Sequence, residues 1–390
     1  MKKIIFSLSS LLLSTALFAA ETIKIGVVGP RTGSAAAEGK TFDEGIALAL
    51  DKINGGGGVL GKTVEVVFED TAGNAEKAAS AFEKLATRDG VALVVGESHS
   101  SPALAEIEVA NRLKVPFIVA EAWHDDITKK GYRWVFRAGP VNSGVVDSAI
   151  AKFVVAGKFK KAAIVAENSD WGKGIGALSQ SALKAAGIPS VLLPVAGDAK
   201  DFYTELTKLK GENPDIVLAY IYGFGLHAFV SQAKEVGLSP RALILDGAGP
   251  PSLWPEFWKN VGAAGERELF VSSMHEKVHL TAASREFWAA YKKKYGKDPS
   301  DYKARSIYNV LLLAVDALKR AKSLEPEAIV AALEKADLEV TTGRIRFGLV
   351  PGGYGYHQWM PAMLVVQWQG GKQVVVYPPK AATGKLQKGG

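Results

Sequence analysis

Hydroxyl, aromatic and acidic side chains directly follow several predicted strands of this chain. Ser100 and Ser101 stand between a strand and the start of a helix, where hydroxyls and backbone amides can bind a carboxylate. Trp171 and Tyr222 follow two later strands, and Asp246 ends another. A carboxylate in a partly dry cleft needs a cationic partner, because burying it alone is costly. These residue types are suited to binding a small charged molecule.

Each of these residues also has a purely structural interpretation. Ser100 or Ser101 can cap the helix that follows, and one serine can cap while its neighbour binds a ligand. Trp171 and Tyr222 can pack in a core, and Asp246 can cap a loop. We favour ligand binding for all five, because ligands of open α/β sheets bind beyond the carboxyl ends of the strands.

The sequence gives little evidence of catalysis. It contains no G-x-S-x-G motif and no cysteine, and its H-E-x-x-H string, residues 275–279 (HEKVH), lies outside the predicted helices, whereas a zinc site of this pattern needs a helix. The six histidines are His99, His124, His227, His275, His279 and His357, and outside that string they lack the spacing of metal ligands. We therefore predict that the chain is not an enzyme and holds no metal and no cofactor.

One glycine-rich string, residues 56–63 (GGGVLGKT), satisfies the phosphate-loop pattern. That loop works because it leaves a strand and enters a helix, whose first amides surround the phosphates. Here a predicted helix ends before the string and a predicted strand follows it. The glycines are therefore predicted to end a helix and form a tight turn, and nucleotide binding is disfavoured.

The first 20 residues have the features of a cleavable secretory signal. Lys2 and Lys3 precede an apolar stretch over residues 4–18, and Ala19 and Ala20 end it. The alternative, a membrane anchor, is disfavoured because the stretch is short and no basic stop-transfer patch follows. Without cysteine, neither a disulfide nor a lipid anchor on cysteine can form. We predict a soluble protein of the periplasm.

The charge of the chain argues against nucleic acid as a partner. The formal net charge is +7, and it falls by two, to +5, when Lys2 and Lys3 leave with the signal. Basic residues are scattered, apart from residues 292–294 and the tail, and no aromatic residues are interleaved with them.

The apolar periodicity predicts two successive runs of alternating strands and helices, then helices and final strands. Predicted strands cover 22–28, 64–69, 92–95, 117–120, 162–166, 191–193, 216–219, 243–245, 269–271, 345–347, 363–368 and 374–377. Predicted helices cover 42–53, 75–86, 101–113, 175–186, 202–209, 228–236, 283–295, 306–321 and 327–336. Continuous apolar strands between helices are typical of parallel sheets covered on both faces. The late elements are too few for a third domain, so the chain must cross between two lobes more than once.

Several short strings resemble the type I periplasmic binding proteins of the leucine/isoleucine/valine-binding group. They are 22–30 (TIKIGVVGP) with Thr32-Gly33, 51–56 (DKINGG), 58–61 (GVLG), Gly131-Tyr132, 171–174 (WGKG) and 232–238 (QAKEVGL). The resemblance extends from about residue 22 to residue 376, and the order and spacing of the strings make it specific.

The resemblance implies an α/β fold of two Rossmann-like lobes, whose parallel sheets are joined by three hinge crossovers. After the signal peptide (1–20), it implies a first lobe over 21–141 with 275–357 and a second over 142–274 with 358–380, followed by a tail (381–390). Proteins of this family deliver a ligand to an ABC permease in the inner membrane. We therefore expect a small-molecule ligand such as an amino acid, a permease partner and a monomer.

The resemblance assigns ligand contacts in the first lobe. Ser100 matches the family serine that holds the ligand carboxylate, and Ser101 stands beside it. Where the family uses small residues and a threonine hydroxyl at the charged end of the ligand, this chain has Glu121, Ala122 and Trp123. We expect these three to contact the ligand; a surface position is the alternative for Glu121 and Trp123.

The resemblance also assigns contacts in the second lobe. Trp171 and Tyr222 occupy positions of family tyrosines in the cleft, and Asp246 matches an acidic residue that accepts the ligand's α-ammonium. Ser100 and Asp246 together suggest an anion site on one lobe and a cation site on the other, which an α-amino acid would bridge.

Three further charged residues, Glu38, Lys303 and Arg305, align near the family's side-chain pocket. Ordinary solvated charges are the favoured interpretation of each, because charged side chains are mostly exposed. If two of them instead line the pocket, the ligand side chain is polar rather than aliphatic.

Three functions remain open from the sequence. The leading one is a transport receptor for an amino acid or a closely related small molecule. The second is a receptor for amides, urea or aromatic carboxylates, which Asp246 disfavours because a ligand without a cation gives it no role. The third is a sensory module that feeds a chemoreceptor or kinase, a role that a soluble binding protein can also serve.

Overall fold

The computed structural model describes residues 22–33, 36–278, 281–348 and 355–388. The predicted signal peptide, His279 and the end of the predicted tail lie outside them. Within these ranges, no helix combines the length and the apolar character that crossing a membrane requires.

Strands and helices alternate along most of the described chain. The strands are β1 (Thr22–Gly29), β2 (Thr63–Asp70), β3 (Val94–Gly96), β4 (Phe117–Val119), β5 (Val135–Ala138), β6 (Ala162–Glu167), β7 (Ser190–Val195), β8 (Ile216–Tyr220), β9 (Leu243–Asp246), β10 (Leu269–Ser272), β11 (Leu338–Val340), β12 (Gly343–Ile345), β13 (Gln358–Trp359), β14 (Leu364–Gln369) and β15 (Lys372–Tyr377). The helices are α1 (Ala36–Gly55), α2 (Ala75–Thr87), α3 (Ser100–Leu113), α4 (Asp126–Lys129), α5 (Asn142–Val145), α6 (Lys152–Ala156), α7 (Asp170–Ala185), α8 (Tyr203–Glu212), α9 (Phe224–Glu235), α10 (Pro250–Leu253), α11 (Phe257–Val261), α12 (Ala282–Tyr295), α13 (Lys303–Ala321) and α14 (Pro326–Glu334). A π-helical segment (Val146–Ala151) joins α5 to α6. The glycine-rich string 56–63 runs from the end of α1 to the start of β2, so its helix-to-strand order is as predicted.

The first lobe is built on a six-stranded parallel sheet in the order β13-β5-β4-β3-β1-β2. Val27 packs into a core shared with α1 and α12–α14, whereas Val28 packs into one shared with α2 and α3. Neighbouring residues of a strand point to opposite faces of the sheet. A sheet covered on both faces therefore needs apolar residues throughout, which explains its continuous apolar strands.

The second lobe is built on a seven-stranded sheet in the order β15-β14-β10-β9-β8-β6-β7. Strands β6 to β10 are parallel, and β14 and β15 are antiparallel additions. Ile164 packs into a core with α7, and Val165 packs into one with α8, α9 and α11. The predicted α/β fold with two lobes is confirmed.

The chain passes between the two lobes three times. It leaves the first sheet after β5 and reaches β6 through α5, the π-helical segment and α6. It returns after β10, because α12–α14 pack on the first sheet. It crosses again between β13 and β14. Gln358 and Trp359 pair with Arg137 and Ala138 of β5 and so belong to the first sheet, whereas the sequence places the start of a second-lobe segment at 358.

Several helices begin before their apolar pattern does. Helix α1 begins at Ala36 rather than 42, α7 at Asp170 rather than 175, and α13 at Lys303 rather than 306. The first turns of these helices carry Glu38, Trp171 and Lys303, which lie at or beside a cavity between the lobes. Because these turns do not face the core of a lobe, no apolar stripe marks them in the sequence.

Candidate functional site

A cavity of about 130 Å³ lies between the two lobes, where the carboxyl ends of both parallel sheets meet. Its walls come from loops after β2, β3, β4, β6, β8 and β9 and from the start of α13. The lining residues are Gly73, Ser98, His99, Ser100, Ser101, Pro102, Glu121, Trp123, Glu167, Ser169, Trp171, Tyr222, Ala248, Tyr302 and Lys303. The volume compares with the ~150 Å³ cavity that holds benzene in an engineered protein, so a small organic molecule fits.

The start of α3 forms one wall of the cavity. His99 is the N-cap residue, and no side chain caps the helix, so neither Ser100 nor Ser101 acts as its cap. The Ser100 Oγ accepts a hydrogen bond from the His124 amide at 3.1 Å. Because that contact uses an oxygen lone pair, the Ser100 hydroxyl proton is left to donate. The wall offers hydroxyl and amide donors together, which is what a bound carboxylate needs.

The loop after β4 holds an aromatic ring against the cavity. Trp123 is buried, stacks on Tyr302 with ring centroids 6.5 Å apart, and donates its indole N–H to Glu121 Oε2 at 3.0 Å. The other Glu121 oxygen accepts from the Ser306 hydroxyl. Burial raises the pKa of Glu121, and the two hydrogen bonds oppose that shift. Glu121 is therefore a buried support for the Trp123 ring rather than a surface charge.

Ala122 lies behind this wall rather than in it. It is fully buried and does not line the cavity. Its carbonyl accepts a hydrogen bond from Arg137 Nη1 at 2.9 Å. Ala122 therefore lies outside the cavity lining, and its carbonyl binds a buried arginine.

The second lobe supplies the facing wall. Trp171 lies in the first turn of α7, which the Ser169 hydroxyl caps by accepting from the Gly172 amide at 3.1 Å. Its ring meets Trp123 and Tyr222 edge-on, with centroids 6.4 Å away in both cases. Trp123 belongs to the first lobe, so the two indoles meet across the cavity. The geometry brings Trp171 and Tyr222 into one cavity with the first-lobe residues.

Asp246 does not line the cavity, and its predicted role as an ammonium acceptor is not supported. The side chain is fully buried. Its Oδ1 accepts from the amides of Ala248 (2.8 Å) and Gly249 (3.0 Å), and its Oδ2 accepts from the Ser252 hydroxyl (2.7 Å). Burial raises the pKa of Asp246 to about 6, while these donors act in the opposite direction. The carboxylate fixes the turn after β9, which is the loop-capping alternative.

Glu38, Lys303 and Arg305 are buried, so the interpretation as solvated charges is wrong for all three. Glu38 accepts from Lys303 Nζ at 2.5 Å and from the Ser98 hydroxyl at 2.7 Å, and lies 2.9 Å from His99 Nε2. Burial alone would raise the pKa of Glu38, but Lys303 and His99 together hold it well below its usual range. Lys303 lines the cavity; Arg305 does not, because it binds the Ser273 carbonyl and hydroxyl.

Sequence reasoning missed Glu167 and His99 as cavity residues. Glu167 ends β6, and its two oxygens accept from the Ser169 hydroxyl (2.7 Å) and the Tyr222 amide (2.9 Å). Burial raises the pKa of Glu167. An acidic residue that ends a parallel strand was the signal used for Asp246, and the same signal was present at Glu167.

Known proteins place this two-lobed molecule in a family. A family model described as periplasmic binding protein matches residues 22–373. The chain belongs to this family. Within the described residues, no group of three or more histidine, cysteine, aspartate or glutamate side chains could hold a metal ion. The family match identifies the chain as a periplasmic binding protein of the ABC-transporter type and not as an enzyme.

Its relatives support the resemblance to the leucine/isoleucine/valine-binding group. The chain is 29% identical over 409 residues to Leu/Ile/Val-binding protein homolog 7 of Brucella suis, covering 99% of both chains. It is 28% identical to a branched-chain amino acid transporter substrate-binding protein from Streptococcus pneumoniae, solved with isoleucine, with a TM-score of 0.79 and coverage of 95% and 100%. A leucine-binding protein from Thermotoga maritima has 24% identity, a TM-score of 0.81 and coverage of 90% and 97%.

Proposed function

We propose that this protein captures an α-amino acid, or a closely related small molecule with a carboxylate, between its two lobes and delivers it to an ABC permease. The observation that carries the proposal is one cavity with hydroxyl and amide donors at the start of α3 on one side and aromatic rings with a carboxyl group on the other. Such a site holds both ends of a zwitterion.

The carboxylate end is assigned to Ser100 and Ser101. The hydroxyl of Ser100 is free to donate, and the positive end of the α3 dipole favours an anion. The serines belong to the first lobe, so this contact would be made before the lobes close.

The ammonium end is reassigned from Asp246 to Glu167. Glu167 lines the cavity from the second lobe. Each of its two oxygens accepts from one donor among the described residues, which leaves lone pairs for a further donor. A ligand ammonium there would favour the ionised carboxylate. The ligand would then bridge Ser100 on one lobe and Glu167 on the other.

Transport is the role that this family relationship supports. Relatives at 28–29% identity over nearly the whole chain carry Leu/Ile/Val-binding names, and one was solved with isoleucine. We propose a monomer that is exported to the periplasm by the signal at residues 1–20 and docks on an inner-membrane permease when its lobes are closed.

An aromatic carboxylate is the second candidate ligand. Four rings, Trp123, Trp171, Tyr222 and Tyr302, line the small cavity, and flat rings pack well among edge-on aromatic neighbours. Such a ligand has no ammonium, and burial raises the pKa of Glu167, which favours the neutral form of that carboxyl.

Calorimetry on a panel of amino acids, amides and aromatic acids tests the proposal, after a thermal-shift screen. Saturation at about a thousand times Kd stabilises a protein by about 4 kcal/mol, which such a screen detects. Glu167→Gln should weaken amino-acid binding by about 2–5 kcal/mol, since it strands the ligand cation. Glu212→Gln is the matched control, because Glu212 pairs with Lys161 on the surface of the same lobe. Binding of amine-free acids alone, with Glu167→Gln equal to wild type, would reject the amino-acid assignment.

A further inference from the structure

The buried charges beside the cavity have no role in holding an α-amino acid by its two ends. Glu38 is fully buried and the Lys303 side chain is 4% exposed. The Glu38 carboxylate contacts two cationic groups, Lys303 Nζ at 2.5 Å and His99 Nε2 at 2.9 Å. Burial lowers the pKa of His99, but Glu38 outweighs burial and raises it, which favours the charged imidazolium. One carboxylate thus contacts an ammonium and an imidazole at the cavity wall.

Two side chains at this wall carry hydrogen-bond donors toward the cavity. The Lys303 ammonium has three N–H donors, and among the described residues its side chain has one hydrogen-bond acceptor, Glu38. The buried Tyr222 hydroxyl makes no hydrogen bond of normal geometry in the described chain; burial and then the nearby Glu38 carboxylate, which can accept a weak hydrogen bond from it, raise its pKa. Lys303 Nζ lies 5.1 Å from the centroid of the Tyr222 ring, and the His99 ring lies 5.2 Å from it.

Two neighbouring acids, Glu97 and Asp301, each bind backbone donors with one oxygen. Glu97 turns one oxygen to the amides of Ser98 and His99, at 2.8 and 2.9 Å. Asp301 turns one oxygen to the Lys303 amide at 2.8 Å. These carboxyls therefore bind backbone donors of the loop and of α13, and Lys303 and Tyr222 still face the cavity.

We propose that Lys303, His99 and Tyr222 bind a second acidic group of the ligand, so that the ligand is a dicarboxylic molecule rather than one with an aliphatic side chain. This inference rests on the proposed function, because it needs the cavity to be the ligand site. The first carboxylate lies at the start of α3, and the second lies at the start of α13, where lysine and tyrosine donors converge on its oxygens.

The test compares each acid with its neutral amide, so that all other contacts cancel. The probes are glutamate against glutamine, and glutarate against its monoamide, with isoleucine and benzoate as single-acid probes. Calorimetry on the wild-type protein should show an acid bound at least about tenfold more tightly than its amide, the range of a hydrogen bond to a charged group. At least one two-acid probe should also bind more tightly than isoleucine and benzoate.

Two variants and a matched control test which side chains cause the preference for an acid over its amide. Tyr222→Phe should reduce the acid-to-amide ratio by about tenfold without lowering Tm, because the deleted hydroxyl has no partner in the described protein. Tyr220→Phe should lower Tm and leave the acid-to-amide ratio unchanged. The Tyr220 hydroxyl is buried against Ser179 Oγ at 2.5 Å and lies outside the cavity lining. Lys303→Met should bring the ratio close to one.

The outcomes separate this inference from the proposed function. Isoleucine or benzoate binding more tightly than every two-acid probe would overturn the inference while leaving capture of a small carboxylate intact. An acid-to-amide ratio that Tyr222→Phe and Lys303→Met both leave unchanged would overturn it as well. No binding of any probe would contradict the proposed function and the inference together.

Discussion

Replacing Glu38 by glutamine should destabilise the protein far more than the same change on the surface. The substitution keeps the shape of the side chain and removes its charge. Lys303, whose side chain is 4% exposed, would then remain charged in a dry environment beside a neutral amide. Breaking a buried ion pair by removing one partner costs about 3–5 kcal/mol, because the remaining charge is uncompensated.

Urea denaturation followed by circular dichroism measures this cost, with Glu83→Gln as the matched control. Glu83 pairs with Arg112 at 3.2 Å, but the two side chains are 50% and 56% exposed. An exposed pair of this kind contributes about 0–1 kcal/mol. A Glu38→Gln protein that loses less than about 1 kcal/mol, as the control should, would refute the buried network.

The pH dependence of this difference has a defined sign. The pKa of Glu38 is lowered in the folded state, so its contribution to the free energy of unfolding is present at pH values above the usual carboxyl pKa and is lost as the pH falls. The pKa of His99 is raised, so its contribution is present below about pH 6.5 and is lost as the pH rises through the folded value. The free-energy gap between wild type and Glu38→Gln should therefore be greatest at about pH 5–6.5.

Further expectations follow from the cavity, the buried acids and the three crossings. Trp171→Ala should weaken ligand binding by about 1–4 kcal/mol and diminish the shift of tryptophan emission on ligand addition, as for an aromatic hot spot; unchanged affinity by calorimetry would remove Trp171 from the site. Asp246→Asn should lower the free energy of unfolding by about 1–3 kcal/mol, because it disturbs a buried hydrogen-bonded turn; selective loss of amine ligands at unchanged stability would instead restore its predicted role. Glu106→Leu should stabilise the protein more at pH 8 than at pH 5 in urea titrations. The Glu106 carboxyl has no hydrogen-bond partner in the described chain, and its pKa is raised by burial and, to a smaller extent, by Glu97, so keeping it buried costs more at the higher pH. An equal effect of the substitution at both pH values would contradict this. Small-angle scattering should show a smaller radius of gyration with saturating ligand, since three connections allow the lobes to bend together; identical profiles would argue against closure.

Most of the fold could be predicted from the sequence because the central strands of a doubly covered parallel sheet are largely apolar. Strand β8, for example, was predicted over 216–219 and runs over Ile216–Tyr220. Short elements without such a pattern were missed, including β5, β13 and the helical segments of the first crossing, α5 to α6. Their residues are fixed by neighbours from distant parts of the chain, which local periodicity does not report.

The position of a side chain at the cavity could be predicted where the end of a strand alone determines it. Ser100, Trp123, Trp171 and Tyr222 all line the cavity for that reason. Asp246 also ends a strand, but its carboxylate accepts hydrogen bonds from its own loop. The conformation of that loop determines this orientation.

Burial of charge could not be predicted in the same way. Glu38 and Lys303 are 265 positions apart in sequence, and each alone looks like an ordinary surface charge. The two side chains come into contact only because α1 and α13 pack together in the first lobe. The first turns that carry them also lack the apolar stripe from which the helices were predicted.

A crystal structure of the ligand-saturated protein tests the central claim most directly. We expect a single small molecule between the lobes, with its carboxylate at Ser100 and Ser101 and its other end against Trp171 and Tyr222 of the second lobe. Those contacts require both lobes at once. A ligand bound to one lobe alone, or outside the cavity, would contradict the account.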